Sequence, residues 1–239
     1  MRRHLESVVP GSGFRHLAAH VKTHKSAWVT RILVKHGVEK FKCTPHDIDF
    51  LLEVGVKDVL LAYPLLAHDA ERLAERIVQH PETRVTAQIG SRTHAERLAA
   101  AARRHGIEID CLIDVDVGHH RTGIQPDLAS DLARSVLSSR ELGSLRIRGI
   151  HAYDGHNSSP DPAARDACAR EAMQRVADCT RSVEAAGIRV ERIVVGGSPG
   201  FLPDLRELVV RHRVDAQVDV SHGTWVYWDS NYAAKMPGM

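Results

Sequence analysis

Four phrases spread along the chain share one construction. HGVEKF (36–41), VGVKDV (54–59), HGIEID (105–110) and AGIRVE (186–191) each leave a helix-like segment, pass a glycine and enter an apolar or β-branched run. A glycine at that point suits a left-handed helix C-cap, so each phrase reads as a joint from helix to strand. A chain built on this joint lays strands side by side with helices between them. Apolar runs alternating with amphipathic stretches extend the pattern to eight units. Strands are expected over 17–21, 40–44, 58–62, 84–89, 111–117, 145–153, 192–196 and 217–220. Helices are expected over 27–36, 45–54, 67–80, 92–105, 126–138, 162–186 and 201–209.

Eight such units predict an α/β fold, a closed (β/α)8 TIM barrel, with an open doubly wound sheet as the other arrangement. No GxGxxG follows the first strand, which weighs against a dinucleotide-binding sheet. A length of 239 residues suits one barrel. It is expected over 16–232, with an N-terminal helical remnant over 1–15 and a tail over 233–239.

Composition narrows the partners. Hydrophobic residues are 43% and charged residues 26%, the balance of a soluble globular domain. A net charge of +2 is too small to point to nucleic acid or a membrane surface. No apolar run approaches the roughly 18 residues of a spanning helix. The Arg- and His-rich N-terminus lacks the apolar stretch of a signal peptide. Cys43, Cys111, Cys168 and Cys179 lack CxxC spacing, which argues against a zinc knuckle or a disulfide framework. A cytoplasmic protein is expected.

In a barrel the chemistry gathers at the C-terminal ends of the strands. There the sequence offers Lys22; Cys43 and Thr44; Tyr63; Gln88; Asp116, His119, His120 and Arg121; His151, Tyr153 and His156; Gly196, Gly197 and Ser198; and Ser221 to Thr224. Lys22 sits in His-Val-Lys-Thr-His-Lys (20–25). A lysine held at a strand end can lose its proton and become the nucleophilic amine that Schiff-base chemistry requires. Alone, the hexapeptide reads more readily as a solvated basic turn; the seven other polar strand ends, with the phosphate-suited loop after strand seven, reverse that weighting in favour of the amine. Lys25 reads as a solvated charge and Cys43 as a buried strand residue.

Gly196-Gly197-Ser198 follows strand seven, where barrels commonly bind phosphate, and His222, Gly223 and Thr224 could complete that cradle. A plain tight turn is the alternative. Arg121 is suited to an anionic oxygen by its fixed fork of donors. Its neighbours His119 and His120 could act or could simply belong to a turn in which Asp116 caps the next helix. His151 and Tyr153, two apart on a strand, share a face, so one ring could flank a flat cofactor while the other exchanges protons.

Together the pieces HVKTHK, FKC, DVLLAYPL, DVDVGHHRTG, GIHAYDGH, GGSPGF and HGTWVYWD resemble, in order and over about residues 16 to 232, the fold-type III pyridoxal-phosphate enzymes. The closest group is that of D-threonine aldolase and D-serine dehydratase, whose barrel is the alanine racemase N-terminal domain. The resemblance implies that Lys22 carries the cofactor through a Schiff base, that Arg121 approaches its phenolate oxygen and that Tyr153 lines the pocket. It places the phosphate at Gly196, Gly197 and Ser198, with Gly223 and Thr224 nearby.

The sequence departs from the family in places. Ala18 and Ala19 stand where an Arg-Pro usually precedes the histidine, and Ile48 stands where a glutamate is usual. Family members also carry a C-terminal β-domain, with a His and an Asp or Cys for a divalent metal (Mn or Zn). Those ligands are expected to be absent from these residues, so no metal ligand is assigned. The implied function is a pyridoxal-phosphate-dependent lyase acting on a D-β-hydroxy amino acid, with Lys22 and His151 as catalytic residues. Retro-aldol cleavage of D-threonine comes first, D-serine dehydration second and racemisation third. A non-catalytic carrier barrel and an inactive fragment are the rivals. A homodimer is implied, with a small D-amino acid as substrate and neither nucleic acid nor membrane as partner.

Overall fold

The computed structural model describes residues 1–227 and 229–236. Trp228, in the HGTWVYWD stretch, and residues 237–239 of the expected tail lie outside the described residues. Eight parallel strands run in the order β1 (Ala18–His20), β2 (Lys40–Cys43), β3 (Asp58–Leu61), β4 (Arg84–Ile89), β5 (Ile109–Val115), β6 (Leu145–Ala152), β7 (Arg192–Val195) and β8 (Gln217–Val220). Each pairs with its successor, and a parallel bridge between Leu17 and Val220 closes the ring. There the Val220 N–H donates to the His16 carbonyl at 2.8 Å. This is the expected (β/α)8 barrel.

The helices are α1 (Arg2–Val8), α2 (Ala27–Lys35), α3 (Ile48–Val54), α4 (Ala67–Gln79), α5 (Arg92–Arg104), α6 (Ala129–Ser138), α7 (Pro162–Ala185), α8 (Phe201–Arg206) and α9 (Ser230–Lys235). Local chemistry sets several boundaries. Ser26 and Ser91 accept the Val29 and His94 N–H groups at 3.3 and 3.2 Å, capping α2 and α5. Pro162 opens α7 beside an Asp161 cap. Gly37, Gly55, Gly106 and Gly187, the four joint glycines, all have positive φ (90°, 77°, 65° and 95°), the left-handed geometry that ends a helix. On α5, Ala95, Leu98, Ala99 and Ala102 form one buried stripe against the barrel wall. Truncating Leu98 to alanine would cost about 2–5 kcal/mol.

The barrel interior is layered. Ala18, Leu60, Leu112 and Val194, from the odd-numbered strands, make a thin apolar plug. Near the N-terminal strand ends, Arg192 bridges Asp219 at 2.7 Å and Asp58 at 2.8 Å, and Lys40 also pairs with Asp219. Arg148 joins Asp110 at 2.9 Å and Glu191 at 3.1 Å. Toward the C-terminal ends lie Lys42, Gln88, Asp114 and His151.

A bulge in β6 decides where His151 points. The register with β5 shifts between Cys111 and Leu112, whose partners are Ile147 and Gly149, so Arg148 is the extra residue. Beyond it the alternation resets, and His151 stands opposite Asp114. Gly149 permits this: its φ is 155°, and a Cβ there would lie 1.8 Å from the Arg192 carbonyl oxygen.

Several expectations shift in detail; β5 runs Ile109–Val115 rather than 111–117, and α6 begins at Ala129 after a 3-10 turn, Pro126–Leu128. β1 is shorter than 17–21, because Val21–Thr23 turn into a 3-10 helix. α3 begins at Ile48 rather than at 45, since Asp47 accepts the Thr44 hydroxyl at 2.7 Å and holds a turn there. The helix expected over 201–209 passes after Arg206 into a π-helical stretch, Glu207–Arg211. The sequence reading had no helix where α9 forms. Among the described residues, no helix is long and apolar enough to cross a membrane.

Candidate active site

β1 ends at His20, whose Nδ1 accepts the Lys22 N–H at 3.4 Å and caps the 3-10 turn. Thr23 Oγ1 donates to the Gly223 carbonyl at 2.6 Å, tying this turn to the loop after β8. The turn carries Lys22 Nζ to 5.8 Å from the centroid of the Tyr153 ring, and the Arg121 guanidinium lies 4.4 Å from the same centroid. Burial, and then the charge of Arg121, lower the Lys22 amine below its ordinary value.

All nine residues singled out from the sequence (Lys22, Arg121, His151, Tyr153, Gly196, Gly197, Ser198, Gly223 and Thr224) line one cavity of about 700 Å³ at the C-terminal mouth. Thr224 Oγ1 donates to Ser198 Oγ at 2.9 Å, joining the loops after β7 and β8. The Ser221 hydroxyl beside them is buried without a partner among the described residues. The Gly197 N–H is already engaged, donating to Asp154 Oδ1 at 2.6 Å. Burial raises the Asp154 carboxyl above its usual value.

Arg121 is presented by a loop folded around Asp116. Asp116 Oδ1 accepts the N–H groups of Gly118 and His120, both at 3.0 Å, and Oδ2 takes His120 Nδ1–H at 2.8 Å. Burial opposes ionisation of Asp116, but these donors together outweigh it and lower its pKa. His120 therefore belongs to the turn, while His119 packs edge-on against Tyr153 with centroids 5.1 Å apart. His222 was expected to help complete the phosphate cradle; instead its ring stacks on Phe201 at 4.5 Å. Burial takes its pKa to about 4.

Two participants escaped the sequence reading. Strand two was expected to offer Cys43 and Thr44, and Thr44 does line the cavity. Cys43, however, faces the surrounding helices, and burial pushes its thiol up. The residue β2 turns inward is Lys42, buried at 4% exposure. Lys42 Nζ lies 2.7 Å from His151 Nε2, and His151 Nδ1 lies 2.6 Å from Asp114 Oδ1. An ionised carboxylate only accepts, so Nδ1 carries the ring proton and Nε2 accepts from Lys42. Gln88 Nε2 donates to the other Asp114 oxygen at 3.3 Å. Burial, then the charge of Lys22, bring Lys42 down to about 7. The available signal was the alternation in Lys40-Phe41-Lys42-Cys43: with the apolar pair on the helices, both lysines must face the barrel interior.

The described residues lining the cavity include three cationic side chains, Lys22, Lys42 and Arg121, against one carboxylate, Asp229. That imbalance favours an anionic ligand. Pyridoxal phosphate fits this wall: an amine of lowered proton affinity for its aldehyde, a guanidinium for its phenolate, and the Ser198, Ser221 and Thr224 hydroxyls for its phosphate.

The sequence model of the alanine racemase N-terminal domain family matches residues 3–214. The chain is 24% identical over 226 residues to a 3-hydroxy-D-aspartate aldolase of Paracoccus denitrificans (strain Pd 1222), covering 92% of this chain and 55% of that protein. It is 24% identical over 215 residues to the D-threo-3-hydroxyaspartate dehydratase of Delftia sp. (strain HT23), covering 89% of this chain and 54% of the other. The chain thus spans about half the length of these relatives. The crystal structure of a D-threonine aldolase from Filomicrobium marinum superposes with a TM-score of 0.84 at 22% identity, over 100% of this chain and 62% of that one. At that identity the likeness is one of fold.

Proposed function

Because the chain belongs to the alanine racemase N-terminal domain family, we propose that it holds pyridoxal phosphate on Lys22 and serves a lyase acting on D-β-hydroxy amino acids. The aldolase and dehydratase relatives support the substrate class. Cleavage of D-threonine is the first choice within it and D-serine dehydration the second. The observation that carries the reading is the Lys22 amine, lowered by burial, set by Tyr153 and Arg121 in a cavity also lined by the Ser198, Ser221 and Thr224 hydroxyls.

When bound, the cofactor withdraws electrons from the α-carbon of the amino acid. The chain's own residues do the rest. Lys22 supplies the anchoring amine. Arg121 holds the phenolate side of the ring by charge, and Tyr153 walls the pocket. Ser198, Ser221 and Thr224 would give hydroxyl donors to the phosphate, and Gly196 and Gly223 line the cavity beside them. Among the described residues, no group of three or more His, Cys, Asp or Glu gathers to hold the divalent metal that the resemblance implies.

The test is spectroscopic first. The chain mixed with pyridoxal phosphate should develop a visible absorbance band that Lys22→Ala lacks. D-threonine, D-3-hydroxyaspartate and D-serine, each supplied with manganese, should then separate cleavage from dehydration by their products. Identical spectra for wild type and variant would remove the Schiff-base assignment.

A further inference from the structure

We propose that Lys42, held by the Asp114–His151 pair, is the amine that exchanges a proton with the amino acid in the cavity, and that His151 acts through it as a positioning residue. This rests on the lyase reading and deepens it. Sequence reasoning gave His151 the proton-exchanging role, yet both nitrogens of its ring are engaged. Nδ1 donates to Asp114 at 2.6 Å and Nε2 accepts from Lys42 at 2.7 Å, in a ring only 3% exposed. To offer Nε2 to a ligand, the ring would have to give up its buried bond from Lys42. Lys42 needs no such change, because one N–H satisfies His151 and the rest of the amine borders the cavity. Its strand fixes it there: in the sheet register Lys42 stands beside His20 on β1 and Leu60 on β3, and Leu60 belongs to the apolar plug.

The surroundings tune this amine for proton exchange near neutrality. Lys22 and Arg121 face it from the β1 turn and the loop after β5, with His20 on β1 and His151 on β6. The carboxylates of Asp114 and Asp154 oppose them. With burial, the balance leaves amine and ammonium in comparable amounts near pH 7, the condition under which general acid–base catalysis is most effective. The Asp114 charge, relayed by the neutral ring, steadies the ammonium once formed.

For cleavage the step balances as follows. The Lys42 lone pair takes the proton of the substrate's β-hydroxyl, an N–H bond forming as the O–H bond breaks. The released pair completes the aldehyde C=O as the Cα–Cβ bond breaks, and the Cα–Cβ pair is left at the electron-withdrawn α-carbon. The ammonium returns the proton to that carbon, giving glycine and acetaldehyde from D-threonine and restoring the neutral amine.

Two measurements test this, one of them without cofactor. In ¹³C-lysine NMR of the cofactor-free chain, with Lys42 assigned by Lys42→Met, its midpoint should fall near neutrality. Asp114→Asn should move it down by about one pH unit. A midpoint above about 9, or one unmoved by Asp114→Asn, overturns the proposal. In the loaded chain, borohydride reduction and peptide mapping should find the cofactor on Lys22 in both wild type and Lys42→Met, while the variant loses about 10²–10⁴-fold of D-threonine turnover. Cofactor trapped on Lys42, or full turnover in Lys42→Met, overturns it. An unlabelled wild type would instead remove the lyase reading on which it rests, and the NMR midpoint would still judge the amine.

Discussion

At the N-terminal end of the barrel, Lys40, Arg148 and Arg192 meet Asp58, Asp110, Glu191 and Asp219 in ion pairs. At the C-terminal end, Lys22, Lys42 and Arg121 make no ion pair among the described residues. The plug of Ala18, Leu60, Leu112 and Val194 lies between the two sets. The difference separates two uses of charge. Below the plug, each carboxylate has its cation, desolvation is offset locally, and the network fixes the strand starts. Above it, the cations form no ion pair among the described residues, so desolvation first and neighbouring positive charge second leave Lys22 and Lys42 holding their protons weakly, and an incoming anion is favoured. On the proposed function, ion-pair stabilisation lies at one end and the chemistry at the other, as local conflict at a functional site would suggest.

Removing one charge from each end breaks the comparison most forcibly. Lys22→Ala should abolish the cofactor band and cut turnover by about 10³-fold or more, with the urea midpoint unchanged. Asp219→Asn should do the reverse. It strips a carboxylate from both Lys40 and Arg192 and should cost about 3–5 kcal/mol in urea unfolding while cofactor binding persists. Parallel losses of stability and cofactor in Asp219→Asn would show that the plug couples the two ends.

The eight-strand order and the polar strand ends were legible because helix-end glycines and alternating runs are local signals. Lys22, Arg121 and the Gly196–Gly197–Ser198 turn could be placed at the cavity by position alone. Lys42 and Asp114 were not found, since a charged residue inside a strand reads as solvent-facing unless the barrel is closed and both faces are buried. His151 was found but its neighbourhood was not. Its aim depends on the Gly149 bulge, which resets the alternation of β6 against β5 and leaves no pattern in β6 alone. Contacts between distant strand ends, such as Thr224 with Ser198, are fixed only by barrel closure.

Lys42 also gives the comparison a pH signature. Its amine is held down near 7 in the fold, whereas an unfolded lysine titrates near about 10.4. Between those values the unfolded chain binds the extra proton, so stability must rise with pH over that window. The slope from this one group should approach about 1.4 kcal/mol per pH unit. Urea unfolding at pH 7, 8 and 9 should show the rise in wild type and lose it in Lys42→Met, which should be as stable as wild type or more so at pH 7. Arg192 at the other end stays charged throughout and contributes no such slope.

The smallest expected effect compares two buried threonine hydroxyls, one at each end. Thr83 Oγ1 donates to the Val56 carbonyl at 2.8 Å beside the start of β4, and Thr224 Oγ1 donates to Ser198 Oγ at 2.9 Å in the mouth. Valine replaces either with little change of shape. Thr83→Val leaves a buried carbonyl unpaired and should cost about 1 kcal/mol of stability, with cofactor affinity unmoved. Thr224→Val leaves Ser198 its own hydroxyl, so stability should hold. One phosphate donor is lost, and titration of the visible band should show about three- to tenfold weaker cofactor binding. If Thr224→Val instead behaves as Thr83→Val does, losing stability and keeping affinity, the Ser198–Thr224 pair is a clip between two loops. The phosphate would then depend on Ser221, whose buried hydroxyl has no partner among the described residues.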